Sequence, residues 1–169
     1  MITVQEYFAA YPDHPDATPE RRAAAAGLTK KVDTLLNNAI ADGVPLTKNP
    51  STGCYISGQK NGGFRPQDCP IGAPGSTHKR GHGVDLYDPK RALTAWCYRN
   101  PAILKGLGLT MEDARWTPGW VHLQDVPPGP LGAIWRLDYI PNNTPPVCAP
   151  TPEQVAARSL PTDKRMAIS

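Results

Sequence analysis

Ser76-Thr77-His78-Lys79-Arg80-Gly81-His82-Gly83-Val84-Asp85, followed about forty residues later by Trp120-Val121-His122-Leu123-Gln124, is the part of the sequence around which the rest is organised. Three of the chain's 4 histidines lie in these two segments. Imidazole nitrogens and a carboxylate oxygen suit Zn2+, and a set of three protein ligands leaves a fourth position for a reactive water. Residues 83–86 read as a strand that carries Asp85 inward. In residues 120–124 side chains alternate between faces, which puts His122 on the face of Trp120 and Gln124. Two adjacent antiparallel strands bearing Asp85 and His122, with His78 on the loop before the first, would converge on one ion.

The order Ser-x-His, then Gly81 three residues on, a small residue at Gly83, Asp85 at the start of an apolar strand, and a later Trp-x-His resembles the zinc D-alanyl-D-alanine carboxypeptidase and L-alanyl-D-glutamate endopeptidase family. The resemblance spans residues 32–141. It implies a Hedgehog-like or D-Ala-D-Ala-peptidase-like fold and hydrolysis of the stem peptides of bacterial peptidoglycan. It also implies Zn2+ held by His78, Asp85 and His122. Gly63-Phe64-Arg65 looks like the family's Gly-aromatic-Arg segment, whose arginine holds a substrate carboxylate, a task that suits the bidentate guanidinium. Ser76 and Trp120 are the other substrate-binding candidates.

Gly119 departs from that pattern. Many family members have Glu or Asp three residues before the last zinc histidine, as the base that takes a proton from water, and glycine cannot accept one. Glu112 and Asp113 are the nearest acids, and an acidic pair ahead of Thr117-Pro118-Gly119-Trp120-Val121-His122 looks like a variant found among phage-encoded relatives. The expected base is one of this pair, or His82, which stands at a variable position of the motif.

The chain has 169 residues, which suits one folded domain. With 20 prolines and 15 glycines, irregular connections should outweigh long helices. A formal net charge of +3 favours an anionic wall polymer but, without a basic stripe interleaved with aromatics, argues against nucleic acid as a partner. The first residues lack the basic segment and apolar run of a secretory signal, and no stretch approaches the roughly 18 apolar residues of a membrane span. The expectation is synthesis in a bacterial host cytoplasm, with action at the cell wall as a released endolysin or as a virion-borne lysin. Cys54, Cys69, Cys97 and Cys148 form no Cys-x-x-Cys pair, so they read as thiols or as disulfides formed after release, with Cys54 and Cys69 close enough in sequence to bridge.

Thr18-Pro19-Glu20 starts the clearest helix, with Ala25, Leu28, Val32, Leu35, Leu36, Ala39 and Ile40 recurring at three and four before Asp42-Gly43 ends it. Residues 44–75 read as an irregular binding loop containing Arg65 and one short strand, Cys54-Tyr55-Ile56-Ser57. Asp88-Pro89 should open a helix running through Ala92, Trp96 and Cys97 towards Ile103-Leu104, and His14 reads as a loop residue. A closing strand is expected at residues 133–140, and residues 142–169 read as an extended Pro-rich tail, with a possible helix start at Thr151. The expected fold is α+β, a small antiparallel sheet of about four strands with helices on one face in a domain at 1–141. A second functional reading is a non-catalytic phage virion or wall-docking protein that keeps the peptidase fold and binds other virion proteins through its tail.

Overall fold

A computed structural model of the chain describes residues 1–127. The strand expected at residues 133–140, the tail at 142–169 with its helix start at Thr151, the boundary at 141 and Cys148 all lie outside the described residues.

After a single turn of helix, α1 (Val4–Tyr7), the expected long helix forms as α2 (Pro19–Ala41). Thr18 accepts a hydrogen bond from the Arg21 N–H, and Pro19, which has no N–H to satisfy, takes the first turn. Ala25, Leu28, Val32, Leu35, Leu36 and Ala39 form the buried stripe, whereas Ile40, at 45% exposure, lies off it. Leu35 is fully buried in the common core, so Leu35→Ala is expected to lower unfolding free energy by about 2–5 kcal/mol, read as an earlier midpoint in urea with an unchanged slope.

Among the described residues the sheet has three antiparallel strands, β1 (Gly83–Tyr87), β2 (Thr110–Met111) and β3 (Trp120–Gln124), in the order β1-β3-β2. The fourth strand expected at Cys54-Tyr55-Ile56-Ser57 shrinks to a bridge between Ile56 and Leu86. The Tyr87 N–H donates to the Tyr55 carbonyl at 2.8 Å and the Ser57 N–H to the Asp85 carbonyl at 2.7 Å. The chain then turns, and the Asp85 N–H bonds instead to the Gly62 carbonyl at 2.8 Å. Val84, Leu86, Val121 and Leu123 form the apolar side of the sheet and join α2, Phe8, Phe64 and Trp96 in one core.

The single helix expected after Asp88 is two, α3 (Ala92–Arg99) and α4 (Pro101–Gly106). Pro101 has no N–H to continue α3 and pushes Asn100 out of helical geometry, so the chain restarts. The Asp88 carboxylate accepts from the N–H groups of Leu93 and Thr94 and from the Thr94 hydroxyl, capping α3 from four residues upstream. The Trp96 indole donates to Asp42 at 2.8 Å and ties α3 to the end of α2. Cys54, Cys69 and Cys97 are buried free thiols, so the feasible Cys54–Cys69 bridge is not formed. No helix among the described residues is long and apolar enough to cross a membrane.

Candidate metal centre

Asp85 and His122 face each other directly in the β1–β3 register. The Asp85 N–H and carbonyl bond to Gly62 and Ser57, away from β3, so the two residues form a non-hydrogen-bonded pair, the kind whose side chains approach most closely. His78 comes from a 3-10 turn, Thr77–Arg80, immediately before β1. That turn ends at Gly81, whose φ of 84° is left-handed and where an added Cβ would meet the Arg21 carbonyl of α2 at 2.5 Å. The motif glycine therefore sets how closely the His78 turn packs on α2.

These three residues are brought together as the sequence pattern requires. His122 Nδ1 lies 2.6 Å from Asp85 Oδ1 and 3.2 Å from His78 Nε2, and His78 Nε2 is 3.3 Å from Asp85 Oδ1. Metal–ligand bonds of about 2.0–2.1 Å in a tetrahedron separate donor atoms by roughly 3.3–3.4 Å. Two of the three edges match, and the third is a hydrogen bond that would have to open by under about one ångström if a metal took the place of the shared proton. All three side chains are buried, and the trio can hold a metal ion.

His78 Nδ1 donates to the Gly63 carbonyl at 2.7 Å, which fixes the tautomer that leaves the Nε2 lone pair facing Asp85 and His122. Burial holds its imidazolium down against the pull of the Asp85 charge, keeping a neutral ligand. Burial also works against ionised Asp85, but its close contacts with the His78 and His122 imidazoles outweigh it and hold the carboxyl well below the usual range.

Arg65 is only 8% exposed and belongs to the centre rather than to the surface of its loop. Its Nη2 donates to Asp85 Oδ2 at 2.8 Å and to His78 Nε2 at 3.3 Å, while Nε donates to the Asn61 carbonyl at 2.6 Å. Nη1 makes no hydrogen bond within the described residues. Residues 63–65 thus act as a strap: Gly63 anchors His78, Phe64 packs on Phe8, and Arg65 reaches Asp85.

Of the two acids, Glu112 is the one placed in line with the trio. The β2–β3 register pairs Thr110 with Gln124 and Met111 with Leu123; its next step sets Glu112 opposite His122, and the Glu112 N–H donates to the His122 carbonyl at 3.0 Å. The Glu112 backbone therefore stands level with His122 and Asp85, one residue beyond the end of β2. Asp113 is engaged elsewhere: its carboxylate accepts from the Arg115 backbone N–H and, with both oxygens, from the guanidinium of Arg115. Gly119 has a φ of 89° and follows Pro118, and the Trp120 N–H bonds to the Thr117 carbonyl at 3.4 Å, the pattern of a type II turn. A glycine stands there because the turn needs a positive φ at the entry to β3.

His82 is held apart from the trio. Its Nδ1 bonds to Asp125 Oδ1 at 2.8 Å, and Lys31 of α2 bonds to the other oxygen at 2.9 Å, a clasp that joins the start of β1, the end of β3 and α2. Trp120 is half-buried two residues before His122 on the same face, and half-buried Ser76 opens the His78 turn. His14 lies in an irregular loop, as expected; with Asp16 and Asp68 it forms a second group of possible metal-binding side chains nearer the surface. There Asp16 already accepts from the Gln67 N–H and pairs with Arg21, tying the loop to α2.

Two supports of the site had no sequence signal, because they rest on backbone atoms. One is the Gly63 carbonyl behind His78. The other is buried Lys79, whose ammonium donates to the carbonyls of Gln67 at 2.9 Å and Cys69 at 2.8 Å and so fastens the loop to the His78 turn. No family model, curated protein or solved structure matches the chain.

Proposed function

We propose that the protein is a zinc peptidase that cuts peptide bonds in the stem peptides of bacterial peptidoglycan, in the manner of a phage-encoded lysin. The observation that carries this reading is the convergence of His78, Asp85 and His122, two imidazoles and a carboxylate, with Glu112 joined to His122 through its backbone N–H at the end of β2. Two nitrogens and one oxygen are a donor set that suits zinc with an open position. Zinc there would supply Lewis acidity and activate water near neutral pH.

The chain's own groups supply the rest. Glu112 accepts the proton released as water adds to the peptide carbonyl and returns it to the departing amine as the C–N bond breaks. Arg65, through Nη1, holds a carboxylate of the stem peptide, and Trp120 and Ser76 flank the substrate. The resemblance of the two motifs to the D-Ala-D-Ala carboxypeptidase and L-Ala-D-Glu endopeptidase family supports the choice of substrate.

Purified protein reconstituted with zinc is expected to release new amino groups from isolated wall peptides, and chelator-treated protein is not. Glu112→Gln should keep its zinc and lose activity by about 10²–10⁴. Asp113→Asn should act mainly on stability through Arg115. No cleavage by fully loaded protein would overturn the peptidase reading, and full activity in Glu112→Gln would remove Glu112 as the base.

A further inference from the structure

Arg65 donates to the same groups that the proposed metal would take. One nitrogen, Nη2, bonds to Asp85 Oδ2 at 2.8 Å and to His78 Nε2 at 3.3 Å. The His78 imidazole has one lone pair facing the centre, because its Nδ1–H is spent on the Gly63 carbonyl. A lone pair serves one partner. We propose that Arg65 is a built-in competitor of the metal, a positioning residue whose guanidinium stands in for the cation on His78 and Asp85 and thereby weakens metal binding.

The inference rests on the metal reading above and adds to it. Asp85 is a buried carboxylate in direct contact with two imidazoles and one guanidinium, and the guanidinium is the only permanently charged cation among these contacts. When a dication is bound by the same acceptors, Arg65 must release His78 Nε2 and remain within a few ångströms of a charge of like sign.

Two effects of opposite sign then compete. An outer partner that orients a ligand strengthens metal binding by about 10–100-fold. Repulsion between a unit charge and a dication at such a separation exceeds that at the effective dielectric of about 20 found for buried protein sites. The site is buried, so repulsion prevails, and removing the charge should tighten binding. The released Nη2, like Nη1, is then free to meet a substrate carboxylate, which would neutralise the charge that opposes the metal.

The test uses the full chain in three forms: wild type, Arg65→Met, and Arg65→Gln, which keeps a donor but removes the charge. Zinc dissociation constants are measured by competition with a chromophoric chelator, and melting temperatures are taken with excess chelator. Both variants are expected to bind zinc about tenfold or more tightly than wild type. Chelator-treated Arg65→Met should melt several degrees lower, since Asp85 loses its cation. Affinity that is unchanged or weaker in the variant that folds would overturn the proposal and make Arg65 a support of the metal. Wild type that binds no zinc would overturn the metal reading itself, and this proposal with it, so the two failures are told apart.

Discussion

Replacing His122 with alanine is expected to abolish the zinc binding proposed for the trio while leaving the protein folded. Structural zinc sites hold their ion with about 10–16 kcal/mol, so one ligand's share corresponds to a loss of affinity of about a hundredfold or more. The fold should survive because Asp85 does not become an orphan charge: Arg65 Nη2 remains 2.8 Å from its outer oxygen and His78 3.3 Å from the other. Elemental mass spectrometry after gel filtration should find about one zinc per chain in wild type and almost none in His122→Ala, with the circular dichroism of the two alike. Retention of zinc by the variant would rule out the trio as the site.

Gly63→Ala is expected to damage stability and metal binding together. A Cβ on residue 63 would sit 2.1 Å from the Tyr7 carbonyl oxygen, a backbone atom that already accepts the Phe64 N–H at 2.8 Å. Neither chain can yield alone, so the strap must lift, at about 2–4 kcal/mol and about 10 °C in melting temperature. The same movement withdraws the Gly63 carbonyl from His78 Nδ1, and losing such an outer partner weakens metal affinity by about 10–100-fold. Gly27→Ala, in the middle of α2 with nothing near its missing Cβ, is the control of opposite sign and should stabilise by about 0.5–1 kcal/mol. A Gly63→Ala protein that melts with wild type would show that the strap is not held against Tyr7.

The trio was legible because strand alternation and antiparallel pairing are short-range rules: once residues 83–86 and 120–124 are strands, Asp85 and His122 have to meet across them. The long helix was legible for a similar reason, its cap and apolar stripe being local, and only Ile40 fell outside the buried face. The fourth strand was overestimated because Cys54-Tyr55-Ile56-Ser57 has strand-forming composition, whereas its pairing is cut short by the turn that brings Gly62 to Asp85. The break between α3 and α4 was written in Pro101, which the apolar spacing of Trp96, Cys97 and Ile103 obscured. Glu112 and Asp113 are equivalent as letters; only the register of β2 on β3 separates the acid beside His122 from the one bound to Arg115. Arg65 was placed at the site by motif, but its bond to Asp85 joins residues 20 apart through an irregular loop, where no periodicity applies.

The central position of β3 has a bearing on the order of events as the chain folds. His78 and Asp85 are close in sequence and can offer a cation two ligands early, but the third arrives only when β3, 44 residues beyond His78, has docked against β1. Closing a loop of that length is an entropic toll met in the slow, rate-limiting part of folding. Metal capture should therefore be a late event that slows unfolding more than it speeds refolding, and the ion would serve as a kinetic lock on a sheet already assembled rather than as its nucleus.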